Sequence, residues 1–329
     1  LTEILKKYLN RSHSKYPTLE KDLAKRWAGY WGELALANYV KELPQEKYLI
    51  LHDLQLQLHD IHFQIDTLLI SQTQILIIEA KNIIGTLYFD HVFNQLIRIT
   101  PDGTEESFED PRTQCRRLQS LLTRWLIQHK LNLLTIDYLI FFKSTNKTIL
   151  KATSTGTDTT RICKGRDLFN KIEDCEKRYK QVKIQPEKCN EIAHFPLSKH
   201  NPKPIDILKE YDLTETDLHY GVQCPSCNHV PMDYQRGNWI CPKCSKPFKT
   251  GHIEAINDYF FLIKPTITNH ECQTILHLPT SDITRKVLIS LKLPTTGHTK
   301  NRLYHQWPGS QSYLILEEQL LKQNQIQRR

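Results

Sequence analysis

The chain has 329 residues, 39% hydrophobic and 24% charged, which excludes a disordered or fibrous protein and supplies material for two or three domains. No run approaches the ~18 consecutive apolar residues of a membrane span, and the opening LTEILKKYLNRSHSKYP has no apolar core of a secretory signal, so none is expected. Of the net charge of +8, most lies in the second half: residues 151–329 hold 26 Lys and Arg against 19 Asp and Glu, residues 1–150 hold 18 against 17, a balance that permits a polyanionic partner without requiring one.

In chain order, Thr18 to Val40 reads as a helix, with Thr18 as its N-cap and Leu34, Leu36, Ala37 and Val40 on an apolar face. Strand-like runs follow at Tyr48 to Leu56, His62 to Ile70 and Gln74 to Ala80, the last two joined by the short polar turn Ser71-Gln72-Thr73. A further pair, Thr86 to Phe89 and Gln95 to Thr100, begins after Gly85. A helix is expected over Pro111 to Gln128, with Leu118, Leu121, Leu122 and Trp125 at helical spacing, then an apolar strand over Tyr138 to Phe142. Lys143 to Lys164 reads as loop plus a short strand, and Asp167 to Lys180 as helix. The order predicts a mixed α/β core. Domain boundaries are expected as a first domain over 18–185, a proline-bearing linker over 186–221, a cysteine-rich unit over 222–250, a small basic segment over 253–307 and a mobile polar tail over 308–329.

The stretch QIDTLLISQTQILIIEAKN, residues 64–82, places Asp66, Glu79 and Lys81 in the most apolar part of the chain. Apolar residues on both parities of Ile75 to Ile78 predict a strand buried on both faces, where charges are rare unless paired or bound to metal. Glu79 and Lys81 leave the same face of that strand, and an antiparallel partner can bring Asp66 near them. Two converging carboxylates suit Mg²⁺, and a neighbouring lysine can orient a water or offset charge on a phosphoryl oxygen. A Lys–carboxylate pair closing a sheet edge would carry the same residues. His52, His59, His62 and His91 have no matched ligand spacing and read as surface or turn histidines.

The ordered set Gly29/Gly32/Glu33, Gln64/Ile65/Asp66, Glu79/Lys81 with Gly85, and Pro111/Gln114 resembles the NERD, or nuclease-related, domain of the PD-(D/E)xK superfamily, over about residues 22–143. The resemblance implies a restriction-endonuclease-like mixed sheet flanked by helices. It also implies a nuclease site in which Asp66 and Glu79 hold Mg²⁺ or Mn²⁺ and Lys81 is the catalytic lysine. Glu33 would reach the same metal from its helix, and Gln114 would line the site or contact substrate.

Cys224-Pro-Ser-Cys227 and Cys241-Pro-Lys-Cys244, separated by thirteen residues, form two knuckles that supply four thiolates for structural Zn²⁺. A unit this small depends on the metal for its fold. The pair resembles the zinc ribbons appended to topoisomerases and other DNA-processing proteins. The total of nine cysteines, odd and with no secretion signal, points to a reducing, cytoplasmic setting. Beyond the ribbon, Ser281 to Lys292 predicts a helix capped by Ser281, and Arg285, Lys286, Lys292, Lys300 and Arg302 beside Tyr304 would suit a phosphate backbone. Together these features favour a metal-dependent nuclease acting on nucleic acid, with DNA as the expected substrate and DNA-processing proteins as conceivable partners. The alternative is a non-catalytic DNA-binding or adaptor protein working through the ribbon, and a third is a zinc-clipped subunit of a helicase or topoisomerase complex.

Overall fold

The computed structural model describes residues 1–152, 158–298 and 301–307. The expected polar tail over 308–329 and Lys300 of the basic segment lie outside the described residues. The chain divides into two units, one running from Lys25 to Pro204, the other formed by Leu1–Ala24 with the described residues from Ile205 onward. The chain opens with α1 (Thr2–Tyr8) and α2 (Tyr16–Val40), and the unit boundary falls inside α2. Because α2 begins at Tyr16, Thr18 stands in its first turn and is not the cap.

In the unit from Lys25 to Pro204, the elements are β1 (Leu49–Leu58), β2 (Ile61–Ile70), β3 (Gln74–Lys81), β4 (Gly85–Asp90), β5 (Gln95–Ile99), β6 (Glu105–Glu109), α3 (Pro111–Gln128), β7 (Thr135–Phe142), β8 (Thr148–Ala152), β9 (Ile162–Lys164), α4 (Asp167–Arg178) and α5 (Pro186–Ser198). The main sheet has the order β1-β2-β3-β7-β9, antiparallel from β1 to β3 and parallel from β3 to β9. A second sheet has the order β6-β5-β4-β8. The parallel β3–β7 pair needs a long crossover, and β4 to β6 with α3 supply it.

β3 is buried on both faces, as its double-parity apolar run predicts. Ile75 and Ile77 share a core with Leu118, Leu122 and Trp125 of α3, while Leu76 and Ile78 share another with Leu36 and Val40 of α2. Each fully buried isoleucine contributes about 1.5–3 kcal/mol of burial free energy, so this strand is a rigid base for whatever stands at its end. Immediately after it the chain leaves one sheet for the other at Gly85. There φ is +127°, and a Cβ would stand 2.6 Å from the carbonyl oxygen of Ile99, so only glycine fits the corner.

Two parts of this unit depart from the sequence reading. The first part of the expected linker is a helix, α5, whose Cys189, Ile192 and Ala193 are buried in the same core as Trp125. Its prolines mislead because Pro186 occupies a first-turn position where no N–H is needed, and Pro196 lies near the C-terminal end. β6, EESFE, has no alternating apolar pattern and forms at a sheet edge through backbone pairing with β5 and polar cross-strand contacts such as Arg98–Glu106 and Ser107–Gln95.

In the other unit, the elements after α1 and the start of α2 are α6 (Ile207–Glu210), β10 (Asp233–Gln235), β11 (Asn238–Ile240), β12 (Pro247–Phe248), α7 (Gly251–Leu262), β13 (Thr266–Thr268), α8 (Asn269–Ile275), α9 (Ser281–Ser290), β14 (Thr295–Thr296) and β15 (Leu303–His305). β10, β11 and β12 form one small sheet and β13, β15 and β14 another. Leu5, Tyr8 and Leu19 pack with Ile207, Tyr211 and Leu262, and the buried Asp258 carboxylate accepts from Lys7 Nζ and Tyr8 Oη, both at 2.7 Å. Val222, Cys224, Trp239 and Cys241 share one core with Ile256, Tyr259, Leu288 and Tyr304, so ribbon and C-terminal segment are built together. Tyr304 is therefore core, 4% exposed, and not the phosphate-side aromatic expected from its basic neighbours. The cap of α9 is Thr280, whose Oγ1 accepts from the Ile283 N–H at 3.3 Å, one residue before the expected Ser281. No helix among the described residues is long and apolar enough to cross a membrane.

Candidate functional site

The β2–β3 ladder has Thr67 opposite Ile78, and beyond it the Asp66 Oδ2 accepts from the Ala80 N–H at 2.8 Å. Glu79, 4% exposed, and Lys81 stand at the end of β3, beside Ile140 and Phe142 of β7. Across from them is the first turn of α3. Asp110 caps it, with Oδ1 accepting from the Arg112 N–H at 2.8 Å, and the Arg112 guanidinium closes back on Oδ2 at 2.6 Å while lying over the Phe89 ring. Pro111 at the first helical position needs no N–H partner. This doubly fixed turn presents Gln114.

Glu79, Lys81 and Gln114 close a triangle. Lys81 Nζ donates to Glu79 Oε1 at 2.7 Å and to Gln114 Oε1 at 2.9 Å, and Gln114 Nε2 donates to the same Glu79 Oε1 at 2.8 Å. The lysine has only donors to offer, so the amide oxygen faces it and the amide nitrogen faces the carboxylate. Charge-assisted bonds of this kind are about twice as strong as neutral ones and hold all three side chains in place.

Asp66 is the group under electrostatic tension. Burial, followed by the charges of Glu79 and Glu33, pushes its pKa up to about 8, against the pull of the Ala80 N–H and of Lys81. Glu33 thus acts on the site from α2. That helix approaches closely because Gly32 lies against the end of β3: a Cβ there would stand 3.0 Å from Asn82 Cβ, and Asn82 Nδ2 donates to the Ala28 carbonyl at 2.8 Å. Gly29, the other glycine of the pattern, has open space around its Cβ position.

All five expected residues, Glu33, Asp66, Glu79, Lys81 and Gln114, therefore gather at one end of β3. Asn82 and the Asp110–Arg112 pair, which position them, escaped the sequence reading; an Asp-Pro step before an amphipathic run was the available signal. The oxygen donors fit a hard divalent cation, which needs one or two carboxylates and otherwise keeps its waters. Excess negative charge around a buried Asp66 is the strain such a cation relieves. The three carboxylates are not a preformed cage: among the described residues, the grouping of three or more potential ligands within 4.8 Å of one another is the cysteine cluster. The histidines expected at surface and turn positions join no such grouping, with His59 in the β1–β2 turn at φ +53° and His52 Nδ1 3.1 Å from Thr67 Oγ1.

In the cysteine cluster, Sγ of Cys224 lies 3.6 Å from that of Cys244, and Sγ of Cys227 lies 3.5 Å from that of Cys241. The edges of a tetrahedron with ~2.3 Å Zn–S bonds are about 3.8 Å, so the set can hold Zn²⁺. The two knuckles repeat one backbone pattern: Asn228 N–H donates to the Cys224 carbonyl at 2.9 Å, Ser245 N–H to the Cys241 carbonyl at 2.8 Å, and both donors have φ +58°. Burial pushes the Cys224 thiol up, but the N–H groups of Ser226 and Cys227 and the neighbouring thiols outweigh it and bring the pKa down to about 6, favouring the thiolate a metal needs. Arg236-Gly237, both at positive φ, make the two-residue turn between β10 and β11 that places Trp239 beneath the second knuckle.

No curated protein and no solved structure matches the chain. Residues 28–143 match the family model of the nuclease-related domain, a span that contains every member of the β3 site. The chain thus carries a nuclease-related (NERD) domain in a mixed α/β unit, together with a C-terminal cysteine cluster consistent with a zinc ribbon.

Proposed function

We propose that the protein is a metal-dependent nuclease that hydrolyses phosphodiester bonds in DNA, with Asp66 and Glu79 holding Mg²⁺ or Mn²⁺ and Glu33 as a further ligand. The observation that carries this reading is the Glu79–Lys81–Gln114 triangle beside a buried, strained Asp66 at the open end of a rigid strand. A bound divalent ion would polarise the phosphate and supply an acidified water. Lys81, beside Glu79, would orient the attacking water or donate to a phosphoryl oxygen as negative charge grows on it. Gln114 keeps the lysine aimed through its amide oxygen. Zinc in the ribbon has the role of a structural clip, and the cell compartment this chemistry fits is the cytoplasm.

The test is incubation of the purified full chain with single- and double-stranded, linear and circular DNA, with Mg²⁺, Mn²⁺ or chelator, beside Lys81→Ala protein purified identically. Metal-dependent cleavage is expected, reduced at least about a hundredfold by the substitution, and the circular substrate separates endo from exo action. DNA binding with no cleavage by either protein would overturn the nuclease reading in favour of an adaptor that acts through the ribbon.

A further inference from the structure

Within the nuclease-related unit, α2 carries an aromatic ledge that the proposed chemistry does not use. Trp27 is 40% and Trp31 37% exposed. Their rings stack at 6.2 Å with planes 27° apart, and Tyr30 meets both edge-on, at 5.4 Å from Trp27 and 5.5 Å from Trp31. Single exposed apolar residues are ordinary, but two indoles at helical spacing with a tyrosine between them form a flat contiguous surface that folding leaves uncovered. Its border carries a cation: the Lys143 ammonium lies 5.9 Å from the Trp31 ring centroid.

The ledge adjoins the site through two short links. The Lys143 N–H donates to the Lys81 carbonyl at 2.9 Å, so the residue that covers Trp31 is tied to the catalytic strand. Gly32, next to Trp31, lies against Asn82 and the Lys81 backbone. The ledge and the end of β3 are thus joined through backbone contacts on both sides, at Lys143 and at Gly32.

We infer that Trp27 and Trp31 stack unpaired bases, and that the substrate of the β3 site is single-stranded DNA or a single-stranded end, not intact duplex. The inference rests on the nuclease reading for its placement of the substrate. Duplex bases are already stacked on one another and offer no face to an indole, whereas every unpaired base does. Charge complementarity also fits, since Lys143, beside the Trp31 ring, can meet a phosphate without reading sequence.

Direct binding tests it. The full chain, with Ca²⁺ in place of Mg²⁺, is titrated into fluorescent oligothymidylate of about 20 nucleotides, a hairpin duplex and an abasic strand of equal length, with Trp31→Ala, Trp31→Phe and Trp27→Ala/Trp31→Ala proteins alongside. Wild type should prefer oligothymidylate and show quenched tryptophan emission. The Ala variants should bind it about ten- to a hundredfold more weakly, with abasic-strand and duplex affinity little changed and Trp31→Phe retaining most of the binding. Equal losses on all three ligands, or no loss, would overturn the proposal, as would a change from dimer to monomer on Trp replacement, which would make the ledge a self-association surface. Retained base-dependent binding with no cleavage in the Mg²⁺ assay would sink the nuclease reading alone, and duplex cleavage indifferent to the Trp variants would sink the ledge alone.

Discussion

The two places where this chain concentrates chemistry are assembled in opposite ways. The cysteine cluster takes its four ligands from two knuckles with the same sequence pattern, the same carbonyl–amide bonds and the same left-handed residue after each. The β3 site takes Glu33 from a helix, Asp66 and Glu79 from neighbouring strands, and Gln114 from a second helix across the sheet. Local construction sets the ligand geometry of the first within the two knuckles, although its residues share a core with the C-terminal segment. The second exists only when the whole unit is folded, and it holds like charges together against their repulsion. A metal at the first would add stability, while the second gives up stability by crowding like charge around Asp66.

The largest effect that would sharpen this contrast is on the ribbon. Structural zinc contributes an apparent ~10 kcal/mol or more to small domains, so Cys241→Ser should lose bound zinc and unfold the core around Trp239, read by metal content and tryptophan emission. Retained folding at unchanged thermal midpoint would show that the ribbon core stands on its apolar packing alone.

Asp66 should behave in the reverse sense. Its ordinary pKa of 3.8 rises to about 8 in the fold, so between those values the folded state holds a proton that the unfolded chain has released. Its contribution is thus fully favourable below about pH 4 and is lost as pH rises towards 8, by roughly 5 kcal/mol in metal-free protein. Asp66→Asn should flatten that slope in denaturation measured across pH and raise stability at neutral pH, while abolishing metal-dependent cleavage. An Asn variant less stable than wild type at pH 8 would mean that the carboxylate is not strained. The smallest effect is expected from Gln114→Ala. The Lys81–Glu79 bond survives it, and activity should fall about tenfold, ~1.4 kcal/mol, with metal affinity little altered; an unchanged rate would show that the triangle does not aim the lysine.

How much of this was visible in the sequence follows the same division. The cysteine ligands could be read from spacing because every one lies within a knuckle. The β3 strand could be read because burial on both faces leaves a double-parity run, and its three charges stood out against that background. What joined them to Glu33 and Gln114 was only the order of short motifs, since no local pattern encodes a contact between α2, β3 and α3. Asn82 was missed for that reason, because it works through one long-range bond to the Ala28 carbonyl, whereas the Asp110–Arg112 pair is local and its Asp-Pro signal was passed over. The helix at Pro186 was hidden by prolines that sit where a helix tolerates them, and the burial of Tyr304 depends on packing against α7, which its basic neighbours do not announce.

The corner at Gly85 has a consequence for traffic at the site. Four residues after Lys81 the chain is diverted into the second sheet, which keeps β3 from running on and covering its own charged end. Among the described residues, it is the path of the backbone that leaves the doorway open. Under the proposed nuclease reading, a strand would enter and leave this end of the sheet without a loop moving, and turnover would be governed by chemistry and release of the cut strand.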